Sequence, residues 1–150
     1  MSRRLFMERF KCPIGVFLLL KKDEKLYLQL RKNCSFEGMY GAIGGHVDGG
    51  ETIAAAVIRE AKEEVGIEIS DKDLHVATIC HSNAGGKEYM QFFFTCEKWN
   101  GMIENKEPDK CEQIDLYDIN NLPQNVVPYL KVAIEKINSG EIFFEDGFDK

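Results

Sequence analysis

Apolar residues along this chain recur with two different periods. Between 53 and 65 the period is helical: at 100° per residue, Ala54, Val57, Ile58, Ala61 and Val65 fall on one stripe. The segment has no Pro or Gly and is rich in Ala, Glu and Lys, which favour helix. Thr52 can cap its start, because its hydroxyl can accept from a free amide of the first turn. Gly66 can take the left-handed conformation that ends many helices. Glu60, Glu63 and Glu64 stand at i, i+3 and i+4 and share a second face. Glu64 lies nearest the apolar edge and is expected to be the most buried of the three.

Elsewhere the pattern is that of strands and turns. The run Ile14–Leu20 predicts a buried strand over about 12–20, followed by a turn at Lys21–Lys25 and a second strand at Leu26–Arg31, together a hairpin. Asn33–Tyr40 reads as a loop. A short strand is expected within Gly41–Val47, and the pair Gly44-Gly45 lets the backbone approach a ligand closely. Leu74–His81 and Tyr89–Glu97 predict antiparallel strands joined around Asn83–Gly86. In the second of these, Tyr89, Gln91, Phe93 and Thr95 share one face, and Met90, Phe92, Phe94 and Cys96 share the other. Asn100–Lys110 is polar and reads as a loop, Gln113–Tyr117 as a last strand. Val126–Asn138 reads as a second helix, with Pro128 tolerated in its first turn and Gly140 beyond its end. The acidic, aromatic tail Glu141–Lys150 has no assigned structure. The order of elements predicts an α+β layered sandwich.

Composition narrows the setting. A chain of 150 residues suits one domain with one core, here spanning 1–150. A net charge of −6 disfavours nonspecific nucleic-acid binding. The five cysteines are odd in number, widely spaced and without a CxxC pair, so neither a zinc site nor a disulfide framework is indicated. Reduced thiols in a cytoplasm are the simplest reading. Arg3, Arg4, Arg9 and Lys11 ahead of Ile14–Leu20 imitate a signal peptide, but the run is short and charged residues follow instead of a cleavage site. It is also too short to span a bilayer.

The chemistry concentrates in the first helix. Three carboxylates within one turn repel one another unless a cation sits among them, and hard oxygen ligands on a rigid helix suit Mg²⁺ or Mn²⁺. Arg59, four residues before Glu63, can hold that carboxylate in place. A generic E-x-x-E-E helix face is usually just a solvated acidic surface. Here the context is wider. Gly45, Glu51, Arg59, Glu60, Glu63, Glu64 and Gly66 fill every invariant position of the pattern G-x5-E-x7-R-E-U-x-E-E-x-G-U, where U is bulky and apolar. Ile67 fits the last U, and Ala61 is smaller than the first usually is. The chain therefore resembles a Nudix hydrolase. It departs from the family at Ala42-Ile43, where members usually carry Leu-Pro or Phe-Pro before the two glycines.

The resemblance implies an α/β/α sandwich with a mixed sheet between helices. It implies cleavage of a diphosphate linked to another group, with Mg²⁺ or Mn²⁺ as cofactor. Glu60, Glu64 and the Gly45 carbonyl are the expected metal ligands, and Glu63 binds metal as well or acts as the base. Arg59, Glu63 and Glu64 are the expected catalytic residues, with Glu51 bracing the loop. In some members a downstream carboxylate is the base, and Glu104, Glu107, Asp109 and Glu112 are the candidates here. Arg31, at the end of the second strand, stands where many members contact a substrate phosphate; a solvated strand-end Arg is the competing reading. His46 and Tyr40 are expected at the substrate, with Tyr40 or Phe36 able to stack on a base. Expected partners are small nucleotides, with no nucleic acid or membrane and with monomer and homodimer both open.

A second stretch, Asn105-Lys106-Glu107-Pro108-Asp109-Lys110-Cys111-Glu112, resembles one found in MutT-type members that hydrolyse nucleoside triphosphates, oxidised purines included. That favours a triphosphate cleaved to monophosphate and pyrophosphate. The short chain, without the N-terminal domain through which many ADP-ribose hydrolases dimerise, points the same way. An ADP-ribose or nucleotide-sugar pyrophosphatase is the alternative among enzymes. A silent nucleotide-binding sensor is the alternative of another class, and the intact set of carboxylates argues against it.

Overall fold

Strand β1 (Ile14–Lys22) divides the molecule into two cores. Its side chains alternate across the sheet, so Val16, Leu18 and Leu20 enter one core and Leu19, with Phe17 packed alongside, enters the other. The first core is capped by helix α1 (Ile53–Val65) through Ala56, Val57, Ala61 and Val65. The second is capped by helix α2 (Pro128–Asn138) through Leu130, Ala133 and Ile134. This is an α+β sandwich with a mixed sheet between helices. It is seen in a computed structural model that describes residues 8–148; Arg3 and Arg4 lie outside the described residues.

The remaining strands are β2 (Lys25–Arg31), β3 (Tyr40–Gly41), β4 (Ile43–His46), β5 (His75–Ala84), β6 (Lys87–Cys96), β7 (Cys111–Asp118) and β8 (Phe143–Asp146). The sheet has eight strands among the described residues, in the order β3-β2-β1-β6-β5-β8, with β4 also paired to β1 and β7 to β2. β1 runs parallel to β6, and β5 parallel to β8; the other pairings are antiparallel. The expected alternation in β6 holds: Phe92, Phe94 and Cys96 face α1, and Phe93 faces α2. All five cysteines are free. Among the described residues no helix is long and apolar enough to cross a membrane.

Two expectations need correction, and one open stretch gains a structure. The hairpin between β1 and β2 closes over only two residue pairs, Lys21↔Leu26 and Lys22↔Lys25. Beyond them the strands part, because β1 gains better-buried partners in β4 and β6, while β2 turns to β3 and β7. The tail, to which the sequence assigned no structure, is a strand in part: Phe144 enters the α2-side core and β8 extends the sheet beside β5. In α1, Ala56 is buried and Ala54 is only half-buried, so the buried face is rotated from the apolar stripe toward Ala56, Glu60 and Glu64. That rotation carries two carboxylates inward.

Candidate active site

The helix that carries the acidic residues is fixed at both ends by its own sequence. Thr52 Oγ1 accepts from the Ala55 amide at 3.0 Å, and Gly66 adopts φ 74° while its amide donates to the Lys62 carbonyl. α1 packs on β4, which is held in register against β1 by the pairs Leu18↔Ile43, Phe17↔Gly44 and Val16↔Gly45. Ala42 and Ile43, in place of the family's proline, are buried; the β1 ladder supplies the stiffness that the proline would have given. Both glycines are required by close approach. A Cβ on Gly44 would strike the Val16 carbonyl, and one on Gly45 would strike the Glu60 carboxylate.

Arg59 is the hub of the cluster. Its Nε and Nη2 donate to the two Glu51 oxygens at 3.1 and 2.7 Å, a bidentate pair. Nη1 donates to Glu60 Oε1 at 2.9 Å and more weakly to Glu63 Oε2 at 3.4 Å, and Nη2 also donates to the His46 carbonyl at 3.0 Å. Glu51 in turn accepts from the Asp48 amide at 2.8 Å. The guanidinium thus ties the loop 46–51 to the helix. Its hydrogen bonds to Glu51 raise its own pKa and, with the Asp48 amide, pull the Glu51 carboxyl down to about 2.

Burial ranks the three helical carboxylates. The Glu63 side chain is 51% exposed, whereas that of Glu60 is 14% exposed. Glu64 is the most deeply set. Its Oε2 accepts from the Gly44 amide at 2.8 Å, and burial pushes its carboxyl up to about 8, with the Glu60 and Glu107 charges adding to the shift. The Glu60 carboxyl is raised as well, chiefly by burial and against the pull of Arg59.

These carboxylates line a cavity of about 470 Å³ with Gln29, Arg31, Gly44, Gly45, His46 and Glu107. Of the four downstream candidates only Glu107 reaches it. Glu104 is instead paired with Lys106 at 2.8 Å. Glu107 is presented by a tight turn in which Asn105 Oδ1 accepts from the Glu107 amide at 3.1 Å and Asn105 Nδ2 donates to the Cys111 carbonyl at 2.7 Å. Lys110, from the same turn, also lines the cavity. Sequence reading could not rank Glu107, because the turn's orientation depends on the Lys106 amide docking on the Glu64 carbonyl.

A second cavity of about 460 Å³ adjoins the first and shares Arg31, Ala42, Gly44, Gly45 and His46 with it. Its walls include Phe17, Phe36, Tyr89, Gln91, Tyr129 and Val132. Arg31 is held there by Ser35, whose carbonyl accepts from Nε at 2.7 Å and whose hydroxyl accepts from Nη2 at 3.2 Å. Phe36 is at this cavity as expected, but Tyr40 is not. The Tyr40 ring packs edge-on against Tyr117 at 4.9 Å, its hydroxyl accepts from Gln113 Nε2 at 3.3 Å, and its backbone pairs with β2 and Val127. Tyr129 takes the place beside Phe36, at 5.7 Å between ring centroids. It arrives from the first turn of α2, about ninety residues away in sequence, so no local signal announced it. A third cavity, about 830 Å³, lies around Lys21, Tyr27, Trp99 and Met102 and contains none of the helical carboxylates.

Among the described residues no three acidic, His or Cys side chains form a ready-made metal cage. Arg59 and the Gly44 amide supply the positive charge and hydrogen bonds that the carboxylates need. The donor set nevertheless fits a hard divalent ion. Glu60, Glu63, Glu64 and Glu107 offer only oxygen ligands, and two of these groups are held above the ordinary carboxylate range by burial, a penalty that a cation would reverse.

The family model for the NUDIX domain matches residues 11–137. An ADP-ribose pyrophosphatase of Methanocaldococcus jannaschii is 32% identical over 119 residues, which are 79% of this chain and 69% of that protein. An uncharacterized Nudix hydrolase of Bacillus subtilis is 31% identical over 70% of this chain and 67% of its own. The crystal structure of a MutT NUDIX hydrolase from Burkholderia pseudomallei superposes with a TM-score of 0.76 at 25% identity, over 84% of this chain and 98% of that one. The chain belongs to the Nudix family and is a hydrolase acting on pyrophosphate bonds.

Proposed function

We propose that the chain is a Mg²⁺-dependent nucleoside triphosphate pyrophosphohydrolase that releases a monophosphate and pyrophosphate. The observation that carries this reading is the junction of two cavities at Gly44-Gly45, one lined by carboxylates and one by aromatic rings, with Arg31 facing both. A nucleotide laid across the junction puts its phosphates beside the carboxylates and its base among the rings.

Glu60, Glu64 and the Gly45 carbonyl would hold the divalent ion, with Mn²⁺ able to replace Mg²⁺. When bound, the ion neutralises pyrophosphate oxygens and the charge that develops on the leaving group. Arg59 fixes Glu60 and the loop before the helix. Glu63, the most exposed of the helical carboxylates, and Glu107, across the cavity, are the two groups able to take a proton from the attacking water. Arg31, with Nε and Nη2 engaged by Ser35, turns Nη1 to a phosphate. His46 borders both cavities, which puts it beside the sugar–phosphate region of a nucleotide laid across the junction. The Asn105–Glu112 turn supports a triphosphate, since it resembles the MutT-type stretch and brings Glu107 and Lys110 to the phosphates.

A second reading, ADP-ribose pyrophosphatase, is favoured by the name of the M. jannaschii relative. A nucleotide panel with Mg²⁺ separates the two when phosphate and pyrophosphate release are measured separately. Pyrophosphate from triphosphates, abolished by chelator and restored by Mg²⁺ or Mn²⁺, is the expected result. ADP-ribose turned over far faster than every triphosphate would replace this reading with the second.

A further inference from the structure

Two thiols border the carboxylate cavity and have no part in the hydrolysis. Cys34 is half-buried in the loop after β2, Cys111 is 3% exposed at the start of β7, and both line the cavity beside Arg31, Glu64 and Glu107. They are far apart in sequence and meet because the loop after β2 lies along the turn before β7. The Lys32 amide donates to the Lys110 carbonyl at 2.9 Å, and Asn33 Nδ2 donates to the Asp109 carbonyl at 2.9 Å. Cys34 Sγ lies 4.0 Å from the same Lys110 oxygen, which belongs to the peptide bond that joins Lys110 to Cys111. Arg31 and Cys111 are themselves paired across β2 and β7, where the register of the ladder shifts. Cys111 Sγ donates to the Gln113 carbonyl at 3.3 Å. Burial pushes the Cys111 thiol up to about 11 against that hydrogen bond, and the charges of Glu64, Cys34 and Glu107 add to the shift. Cys80 and Cys96, by contrast, are buried in opposite cores.

We infer that Cys34 and Cys111 are a paired oxidation site, joined by peroxide into a disulfide that reversibly closes the carboxylate cavity. A disulfide spans Cα atoms up to about 7 Å apart. The two segments are already hydrogen-bonded to each other over the preceding residues, so the bond asks for side-chain rotation and a shift of the exposed loop, not a change of fold. Peroxide meets Cys34 first, because Cys111 is buried and protonated. The Cys34 sulfur attacks one peroxide oxygen, the O–O bond breaks, and a sulfenic acid and one water result. The Cys111 sulfur then attacks the Cys34 sulfur. The S–S bond forms, the S–O bond breaks, and the hydroxyl leaves with the Cys111 proton as a second water. Two thiols are oxidised by two electrons and one hydrogen peroxide is reduced to two waters. Cys34 precedes Ser35, whose carbonyl and hydroxyl hold Arg31, and Cys111 ends the turn that presents Glu107. Drawing these segments together displaces Arg31 and narrows the opening between it and Glu107. A thiol reductant restores both.

Non-reducing peptide mapping of the full chain after hydrogen peroxide tests this, beside hydrolysis of whichever nucleotide in the panel is cleaved fastest. The map does not depend on which nucleotide that is, so the triphosphate reading and this one fail separately. The expected result is a single Cys34–Cys111 cross-linked peptide. The value of kcat/KM should fall at least about tenfold with it, because small displacements of groups that position a substrate are costly in rate. Dithiothreitol should reverse both changes. Cys34→Ser should match the parent chain before peroxide and keep its turnover afterwards. In Cys111→Ala the reaction should stop at the Cys34 sulfenic acid, trapped with dimedone; if that variant fails to fold, Cys34→Ser and the peptide map carry the test. The inference is overturned if peroxide leaves both thiols intact or oxidises Cys34 without joining it to Cys111. A disulfide made instead by Cys12, Cys80 or Cys96, or inactivation that persists in Cys34→Ser, would also overturn it. A Cys34–Cys111 cross-link with full turnover would show that the bond does not close the cavity, and that too would sink the proposal.

Discussion

The Gly44 amide donates to Glu64 Oε2 at 2.8 Å, joining the short strand β4 to the last turn of α1. The bond holds the most buried carboxylate of the cluster at the junction of the two cavities. That one hydrogen bond offsets part of the cost of burying the carboxylate.

Glu64→Gln keeps the acceptor for the Gly44 amide and removes the charge. In the metal-free protein, burial sets the Glu64 pKa at about 8, above its ordinary value of 4.5. The folded state thus holds an extra proton between those values, and stability falls as pH rises through that window. The substitution should flatten that slope and stabilise the metal-free protein by on the order of 1–3 kcal/mol at pH 8. Turnover should fall at least about a hundredfold, as expected for loss of a group acting on the transition state. Urea unfolding between pH 5 and 8, beside kcat, checks both; an unchanged pH slope would mean that Glu64 is not the group under strain.

Gly45→Ala tests the close approach. Its methyl would meet the Glu60 carboxylate. Glu60 must move and its hydrogen bond from Arg59 Nη1 must break or lengthen. The expected outcome is a weaker Mg²⁺ response, seen as a higher metal concentration for half-maximal rate, with a loss of stability of about 1–2 kcal/mol. A wild-type metal titration curve would show that the cluster tolerates the displacement.

Arg31→Ala removes the one guanidinium that borders both cavities among the described residues. Its partners Ser35 and the 35–38 turn are at the surface, so the fold should survive. We expect KM to rise or kcat/KM to fall by about ten- to a hundredfold, the loss of one charge-assisted phosphate contact. Arg31→Lys should recover only part, because the two bonds to Ser35 need the planar fork. Unaltered kinetics for Arg31→Ala would return this residue to an ordinary strand-end arginine.

Val57→Asp should damage folding and leave no specific kinetic signature. Val57 is 1% exposed in the core between α1 and the sheet. An unpaired carboxylate there should cost about 3 kcal/mol or more. Thermal melting that matched the parent chain would mean that the helix faces are wrongly assigned.

The spacing of residues 45–67 by itself determined the helix, both of its caps and the convergence of Arg59 with Glu60, Glu63 and Glu64, because a helix converts spacing into direction without help from elsewhere. The alternation in β6 likewise set which of its side chains face which core, before any partner strand was known. Tertiary structure decided the rest. Whether β1 stayed with β2 or left for β4 and β6 depended on burial available only once α1 and α2 covered the sheet. Glu107 was separated from Glu104, Asp109 and Glu112 by a turn docked on the end of α1. Tyr40 lost its place at the cavity to Tyr129 because its backbone is stapled between β2 and Val127. The tail, too short and acidic to show a period of its own, became a strand because Phe144 found a core to enter and β5 had an open edge. Contacts of this kind join residues far apart in the chain, and no local pattern encodes them.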